Sequence, residues 1–183
     1  MNDSPEDQLQ DIAQLGVPLS LQNDGYSCVP HCLKMVLEYL HRTHPEILVL
    51  PIEEIIRVIG TTELGTEYGS IENINKLLEK SIPSVDFKRD ASSRDWKSVQ
   101  KDLQEGKPVI LWIKCRDQLG HPYGHSGVVD GYINKKVLYK DPLYGDMEEG
   151  IDTFLSKWDE LDRYTIRVKV GERTERKITE YLP

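Results

Sequence analysis

The chain has 183 residues, of which 38% are hydrophobic and 30% are charged, a composition typical of a globular protein in aqueous solution. Its 31 acidic and 23 basic residues give a formal net charge of −8, which disfavours binding to nucleic acid or to anionic membranes, because both require basic clusters. No apolar stretch is long enough to predict a transmembrane helix or a signal peptide, and three cysteines, an odd number, predict free thiols in the cytoplasm.

The first half of the chain is predicted to contain one central helix. Residues 1–18 are polar and are expected to form an arm, and the run 23–25, Asn-Asp-Gly, predicts a turn. A helical pattern then begins at Cys28 and continues to about residue 41, with Pro30 in its first turn, where a missing N–H is tolerated. The polar residues of this segment form one narrow stripe: His31, Lys34, Glu38 and His41. The rest of its surface is apolar, so we expect the helix to be largely buried.

The remaining pattern predicts helices first and strands afterwards. Helices are expected over residues 52–59, 71–80 and 93–105, with Ser70 as the N-cap of the second and a short strand at 84–88. The later expectations are strands at 108–115, 125–133, 136–141 and 164–170, a glycine-rich loop at 120–124, and a helix at 151–158. This segregation indicates an α+β fold, with one domain at 19–170 and a charged tail at 171–183.

Cys28 is the first candidate for chemistry, because it stands at the start of the predicted buried helix. The positive end of a helix dipole and the free N–H groups there stabilise a thiolate, and the same N–H groups can bind an oxyanion. The alternative is that Cys28 is a small buried apolar residue, as many free cysteines are. Cys32, one turn later, and Cys115, at the end of a predicted strand, are expected to serve in packing.

A cysteine nucleophile needs a base, which must come from a distant part of the sequence. His125 leads directly into a predicted strand and is therefore held by rigid structure. His121 lies in the glycine-rich loop and is less well placed. The other three histidines, His31, His41 and His44, are expected to be solvent-exposed.

The predicted hairpin offers a carboxylate that could orient the imidazole of His125. Residues paired across a hairpin have numbers with a constant sum, and the mean of 125 and 141 falls beside the predicted turn at 134–135. The side chain of Asp141 is therefore expected within one or two pairs of His125, where it would fix the imidazole tautomer. Asp130 alternates out of phase with Val129 and is the weaker candidate. The alternative for Asp141 is a turn residue, since Asp-Pro followed by Tyr-Gly is itself a turn signal.

Three segments together carry a more specific pattern. They are Gln22-Asn-Asp-Gly-Tyr-Ser-Cys28-Val-Pro, Gly124-His125-Ser-Gly-Val-Val-Asp-Gly-Tyr132 and Val137-Leu-Tyr-Lys-Asp141-Pro-Leu-Tyr-Gly145. They contain a Gln six residues before a Cys that opens a helix, a His that begins a hydrophobic strand ending in Gly-Tyr, and an Asp-Pro on the next strand. In these features the chain resembles the papain-like cysteine peptidases of the bacteriocin-processing, double-glycine-leader type.

The resemblance implies a papain-like fold, in which a central nucleophile helix packs on a C-terminal antiparallel sheet. It also implies a cysteine peptidase without cofactor or metal, acting on a peptide or protein substrate through a Cys-His-Asp triad. The implied roles are Cys28 as nucleophile, His125 as general base and acid, and Asp141 as the orienting carboxylate. Gln22 would donate its side-chain amide to an oxyanion hole alongside the Cys28 N–H. The chain departs from the family at Val29, where Gly usually follows the Cys, and it is expected to be a stand-alone domain without a transporter.

Three alternatives accompany this hypothesis. A non-catalytic peptide- or protein-binding module is disfavoured, because binding has no chemical need for the complete set of Gln, Cys, His and Asp. Acyl transfer to an amine or a thiol stays open, because it uses the same acyl-enzyme chemistry. A zinc site is also disfavoured, because ligands on opposite stripes of one helix cannot converge on an ion. Its candidate ligands are Cys28, His31, Cys32, His41 and His44.

Overall fold

One six-stranded antiparallel sheet organises the fold. The computed structural model describes residues 11, 12, 14–79, 84–90 and 95–171. Across the sheet the strands lie in the order β1-β6-β2-β3-β4-β5. In chain order they are β1 (Val85–Asp90), β2 (Val109–Arg116), β3 (Pro122–Ile133), β4 (Lys136–Asp141), β5 (Gly145–Gly150) and β6 (Thr165–Val170). The helices are α1 (Cys28–Thr43), α2 (Ile52–Ile59), a 3-10 helix (Tyr68–Ile74), α3 (Asn75–Leu78), α4 (Trp96–Gln104) and α5 (Ile151–Asp159). The α+β prediction is confirmed.

Helix α1 is largely buried, as its apolar pattern predicts. Leu33, Met35 and Leu37 are fully buried in a core that this helix shares with α2, the 3-10 helix and one face of the sheet. His31 is buried as well, so the expectation that it is solvent-exposed is wrong. Its Nδ1 is hydrogen-bonded to the hydroxyl of Ser20 at 2.8 Å, because the segment that precedes α1 folds back over the helix.

The opposite face of the sheet carries a second core, built around α4 and α5. Trp96, Phe154 and Trp158 from these helices are buried against the sheet. Alternate residues of a strand point to opposite faces, so neighbours in β2 belong to different cores. Ile110 packs in the core of α1, and Leu111 packs in the core of α4 and α5.

The β3–β4 hairpin confirms the predicted turn and adds an irregularity in β3. Asn134 and Lys135 have φ values of 52° and 61°, the left-handed pair that a two-residue hairpin turn favours. The pairing register shifts by one residue between Val129 and Gly131. Asp130 is therefore an extra residue in β3, which is the mark of a β-bulge.

Two other elements differ from the sequence predictions. The predicted helix at 71–80 is wrong in its first half, because residues 71–74 belong to a 3-10 helix that starts at Tyr68 and only Asn75–Leu78 is α-helical. Ser70 lies inside the 3-10 helix instead of capping an α-helix. The Ser70 hydroxyl donates to the carbonyl oxygens of Ile59 and Glu67, at 2.6 and 2.8 Å. Strand β5 was not predicted from its polar sequence; its edge position allows it to carry exposed charged residues.

Part of the predicted N-terminal arm lies along the sheet. Ile12 forms an isolated bridge with Tyr132, and the Leu15 N–H donates to the carbonyl oxygen of Asp130 at 2.7 Å. Val17 is buried in the core of α1. Residues 1–10 and 13 of the arm, the tail from 172 onwards and the predicted helix ends at 80 and 93–94 lie outside the described residues. Within the described ranges, no helix is long and apolar enough to cross a membrane.

Candidate active site

A buried histidine–carboxylate pair joins β3 to β4. Nε2 of His125 and Oδ1 of Asp141 are 2.8 Å apart, and the two residues are 3% and 2% exposed. The same Asp141 oxygen accepts the N–H groups of Leu143 and Tyr144, at 2.7 and 3.1 Å. The carboxylate is therefore held by the turn that follows β4, and its position confirms the neighbourhood expected from the hairpin.

Cys28 is the first residue of α1 and is partly buried beside this pair. Burial raises the pKa of its thiol, but the hydrogen bond and charge of His125, together with the N–H and hydroxyl of Ser126, outweigh burial and bring the pKa below its ordinary value. No acidic residue stands in the first turn of α1, so none there opposes the positive end of the helix dipole. This environment favours the thiolate form.

The protonation states of the three groups depend on one another. Burial lowers the pKa of His125, but its hydrogen bonds with Asp141 and Cys28 outweigh burial and raise the pKa to about 9. Burial raises the pKa of Asp141, yet the His125 ring and two backbone N–H groups hold it below its ordinary value. Because Nε2 is bonded to the carboxylate, Nδ1 is the nitrogen left for the sulfur. The arrangement can hold a thiolate, an imidazolium and a carboxylate in sequence.

Gln22 lies in the loop before α1 and is buried there. Its side-chain Nε2 donates to the carbonyl oxygen of Asp24 at 2.7 Å, which uses one of the two amide protons. Its backbone N–H donates to the carbonyl oxygen of Pro142 at 2.8 Å. Since Pro142 directly follows Asp141, this bond ties the Gln22 loop to the end of β4.

Asp24 holds the loop between Gln22 and α1 in shape. Its Oδ1 accepts the N–H groups of Tyr26 and Ser27, at 2.9 and 2.8 Å, and its Oδ2 accepts the Ser27 hydroxyl at 2.8 Å. The sequence analysis identified Asp24 only as part of a turn. An Asp four residues before a helix-opening Cys is a signal for this role, because Asp side chains bond to backbone N–H groups two and three residues ahead.

Two tyrosines that the sequence analysis did not single out flank His125. The ring of Tyr123 lies 6.2 Å from the imidazole and the ring of Tyr144 lies 6.5 Å from it, both edge-on. The two tyrosine side chains are hydrogen-bonded to each other. Tyr144 is 61% exposed, so this aromatic pair forms part of the rim around the candidate site.

The sequence model of one protein family, the Peptidase_C39 like family, matches residues 14–166 of this chain. This range contains every residue of the candidate site. This chain belongs to the Peptidase_C39-like family. Among the curated proteins, no sequence matches that of this family member.

Solved structures show that this C39-like chain has the papain-like peptidase fold of its family. A protein assigned as a C39-like peptidase from Bacillus anthracis is 15% identical, with a TM-score of 0.66, and the match covers 89% of this chain and 100% of that one. The peptidase domain of Streptococcus ComA, a bifunctional ABC transporter of a quorum-sensing pathway, is 18% identical with a TM-score of 0.62, covering 85% and 99%. A double-glycine motif protease from an AMS/PCAT transporter, solved with its leader peptide, is 20% identical with a TM-score of 0.54, covering 88% and 96%.

Three other histidines of this C39-like chain have hydrogen-bond partners elsewhere. His121 is exposed and lies 3.1 Å from Asp117, and Nδ1 of His41 is 2.8 Å from the carbonyl oxygen of Ile47. Among the described residues, no group of three or more His, Cys, Asp or Glu side chains could hold a metal ion. His31 reaches Ser20 instead.

The remaining thiols and Asp130 also have separate environments. Cys32 is fully buried, and burial raises the pKa of its thiol well above the ordinary value. Burial raises the pKa of the partly buried Cys115 as well. Asp130 is fully buried at the β-bulge, 3.8 Å from Nζ of Lys140 and 3.4 Å from the side-chain amide of Gln14. It lies outside the cluster of Cys28 and its partners.

Proposed function

We propose that this chain is a cysteine peptidase that cleaves peptide bonds through a triad of Cys28, His125 and Asp141. The observation that carries the proposal is the buried 2.8 Å contact between His125 Nε2 and Asp141 Oδ1, with the Cys28 thiol at the start of α1 close enough to the same imidazole for His125 to lower its pKa. A buried pair of opposite charges contributes little to the stability of a fold, because the cost of desolvating both groups offsets much of their attraction. Catalysis is a better reason for its presence, and membership of the C39-like family supports the same activity.

In the proposed mechanism, the Cys28 thiolate attacks the carbon of the scissile carbonyl, whose π electrons move to the oxygen. The tetrahedral intermediate collapses, the C–N bond breaks, and the His125 imidazolium gives its proton to the leaving amine. The thioester that remains on Cys28 is attacked by a water molecule that neutral His125 deprotonates. The carboxylic acid then leaves, and the thiolate and imidazolium are restored.

Gln22 is proposed to bind the oxyanion together with the backbone N–H of Cys28. Its amide is oriented by the bond to Asp24, which leaves its second proton available. Its Oε1 is buried and has no hydrogen-bond partner among the described residues. This oxygen can only accept a hydrogen bond, so the proposed contact with the oxyanion is made by the second proton of Nε2.

The role of Gln22 is tested by two substitutions. Gln22→Glu keeps the shape of the side chain but replaces the amide donor with a carboxylate, and Gln22→Ala removes the group. We expect both to lower kcat by roughly 10²–10³, because one oxyanion donor is lost. Iodoacetamide labelling of Cys28, which forms no oxyanion, should change little. A kcat within twofold of the wild type in both variants would exclude Gln22 from the oxyanion hole.

The substrate is proposed to be a peptide or an extended protein segment. The double-glycine motif protease was solved with a leader peptide, which supports peptide binding by this related chain. The exposed side chains of Leu21 and Tyr144 lie next to Gln22 and near His125, where they offer apolar contacts. The free thiols fit a reducing compartment, for which we propose the cytoplasm.

The proposed activity is tested by alkylation and turnover of one protein preparation. At neutral pH, iodoacetamide should label Cys28 far faster than Cys32 or Cys115, because burial raises the pKa of both other thiols. A peptide library analysed by mass spectrometry should show cleavage products with the wild type and with Cys115→Ala. Cys28→Ala should give none while its circular dichroism is unchanged. Cleavage by the Cys28→Ala variant, or equal labelling of all three thiols, would contradict the mechanism.

A further inference from the structure

A second buried polar pair lies near the start of α1, outside the proposed triad. Oγ of Ser20, in the segment before the helix, and Nδ1 of His31 are 2.8 Å apart, and each residue is 9% exposed. A serine hydroxyl both donates and accepts a hydrogen bond, so it complements either tautomer of the ring. The other polar residues of the α1 stripe are half-buried or exposed: Lys34, Glu38 and His41. Only His31 of this stripe is covered by another segment of the chain that the structure describes.

The stability of the fold is a poor reason for this pair. A hydrogen bond between two buried side chains contributes little net stability, because both groups give up bonds to water when the chain folds. Two apolar side chains of similar shape can replace such a pair at almost no cost. A hydrogen bond differs from an apolar contact in its direction and narrow range of distance. The contact between Ser20 and His31 therefore fixes the geometry of the segment before α1.

On one side of the contact, His31 is fixed to the start of α1. Its backbone N–H donates to the carbonyl oxygen of Ser27, the N-cap residue, at 3.2 Å. The residue after this cap is Cys28, whose N–H is one of the two proposed oxyanion donors. The His31 ring is therefore anchored in the same helical turn as that donor.

On the other side of the contact, Ser20 lies two residues before Gln22, the second proposed oxyanion donor. The Gln22 backbone N–H is bonded to the carbonyl oxygen of Pro142, and its side-chain amide is bonded to the carbonyl oxygen of Asp24. Asp24 thus holds the loop on the C-terminal side of Gln22, and Ser20 holds it on the N-terminal side. Of these contacts, the one between Ser20 and His31 joins the N-terminal side of the loop directly to α1.

We propose that His31 is a positioning residue of the oxyanion hole. Through Ser20, it sets the place of the Gln22 amide relative to the N–H of Cys28. The spacing of these two donors matters, because groups that stabilise a transition state must lie within about 0.5 Å of their productive positions. This role rests on the proposed peptidase function and on the proposed role of Gln22. His31 itself acts on the reaction only through Ser20 and Gln22.

Two substitutions at His31 separate the hydrogen bond from the volume of the side chain. His31→Leu keeps the volume approximately and removes the bond, whereas His31→Asn keeps a polar atom near the place of Nδ1. For a peptide that the wild type cleaves, we expect kcat to fall about tenfold or more in His31→Leu, with KM within about threefold of the wild type. His31→Asn should restore most of the lost kcat.

A double variant removes the effect of an unpaired hydroxyl. In His31→Leu, the Ser20 hydroxyl loses its partner, which lowers stability whatever the role of the pair is. The combination of Ser20→Ala with His31→Leu leaves no unpaired polar group, so its urea midpoint should return close to that of the wild type. Its kcat should stay as low as in His31→Leu. A recovery of kcat together with the urea midpoint would show that the pair is only structural, and would overturn the proposal.

Iodoacetamide labelling of Cys28 at pH 8 reports on the nucleophile without involving the oxyanion hole. Burial holds the pKa of His31 below its ordinary value, so the ring is neutral at this pH and its replacement changes no charge near Cys28. The labelling rate of all these variants should therefore stay within about twofold of the wild type. A parallel fall in labelling rate and kcat would place the effect of His31 on the nucleophile, and would overturn the proposal.

The link to Gln22 is tested by adding His31→Leu to Gln22→Ala. Since the group that His31 positions is then absent, kcat should change by no more than about twofold relative to Gln22→Ala alone. A further fall of about tenfold in this background would show that His31 acts independently of Gln22, and would overturn the proposal. Cleavage that depends on Cys28 but is unchanged in His31→Leu would refute only the role of His31. A wild-type chain that cleaves no peptide would refute the peptidase function, and the role of His31 with it.

Discussion

His125 links the other two groups of the proposed triad, and both of its partners favour the imidazolium form. The raised pKa of about 9 has a consequence for stability as well as for catalysis. Because the pKa in the folded protein exceeds the ordinary value of about 6.5 for histidine, the stabilisation by charged His125 is complete below about pH 6.5. It is lost as the pH rises through about 9. The Asp141 carboxylate, whose pKa is lowered, stabilises the fold above its ordinary pKa and loses this contribution in acid.

The pH dependence of alkylation tests this charge coupling. In the wild type, the labelling rate of Cys28 by iodoacetamide should change little across neutral pH, because the thiolate persists there beside the imidazolium. Peptide turnover should fall above about pH 9, as His125 loses the proton that the leaving amine needs, and again in acid, as the thiolate gains one. Both rates can be measured on one preparation across the full range.

His125→Gln is the control for the same measurement. Without the imidazolium, burial dominates the environment of Cys28, so the pKa of the thiol should rise. The labelling rate of this variant should then increase about tenfold per pH unit through neutral pH, as it does for an ordinary thiol. The same steep increase in the wild type would show that no thiolate–imidazolium pair forms.

At the scale of elements, the loop before α1 and the β3 bulge position the site. On the N-terminal side of the bulge in β3, Val128 pairs with Lys140. Extension of that register places residue 127 opposite Asp141. His125, two residues further along β3, shares the face of residue 127 and reaches the carboxylate diagonally. A regular strand without the extra Asp130 would turn these β3 side chains to the other face, because a one-residue slip reverses the alternation.

Asp24→Ala tests whether the loop before α1 positions Gln22. The variant loses the acceptor for two backbone N–H groups and for the Ser27 hydroxyl. We expect a loss of about 1–3 kcal/mol in the free energy of unfolding, measured with urea, and a fall in kcat of about tenfold or more. Asp24→Asn keeps an Oδ1 acceptor and should retain most of the free energy of unfolding and most of the kcat of the wild type. Equal effects of the two substitutions would show that charge, and not the loop geometry, is what Asp24 contributes.

Asp130→Asn tests the buried carboxylate at the bulge. Burial raises the pKa of Asp130 to about 6, so its contribution to stability is present below about pH 4 and is lost as the pH rises through about 6. The free energy of unfolding of the variant should therefore improve relative to the wild type by roughly 3 kcal/mol between pH 4 and pH 7.5. Asp146→Asn, which removes the exposed partner of Lys140, should show little such change. If the difference in the free energy of unfolding between Asp130→Asn and the wild type did not change with pH, it would contradict the raised pKa of Asp130.

For the whole molecule, one sheet separates two apolar cores that must form together. The core of α1 includes the start of that helix, where Cys28 lies. The core of α4 and α5 covers the other face of the strands that carry His125 and Asp141. Residues of a single strand alternate between the two cores. If the strands became disordered in one core, the apolar residues that they contribute to the other core would be exposed as well. We therefore expect both cores to unfold in one cooperative transition.

Leu37→Ala tests this coupling. Leu37 is fully buried in α1, and its truncation should cost about 2–5 kcal/mol. In a Trp112→Phe background, urea unfolding followed by circular dichroism and by tryptophan fluorescence should still give coincident curves. Trp112 packs against the first core, so after its replacement Trp96 and Trp158 report the second core alone. Leu119→Ala, at an exposed position, should change the free energy of unfolding by less than about 0.5 kcal/mol. Separate transitions in the Leu37→Ala variant would show that the two cores unfold independently.

Structural features that depend on neighbouring residues are predictable from the amino-acid sequence alone. The helix that opens at Cys28, helix α2 and the turn at Asn134 and Lys135 lie where the local patterns predict them. Each follows from periodicity, capping or φ preference within a few residues. The spacing across the hairpin predicts that His125 and Asp141 are neighbours, and they lie 2.8 Å apart. The role of Gln22, in contrast, is implied only by the family resemblance.

Structural features that depend on contacts between distant segments are visible only in the folded chain. The bulge at Asp130 lies where Leu15 and Gln14 bond to β3, more than a hundred residues away in sequence. His31 is buried because the segment that contains Ser20 packs over it. Helical periodicity marks His31 as polar but does not report what packs over it. Such contacts are set by how the elements assemble around the sheet, which no local pattern of residues encodes.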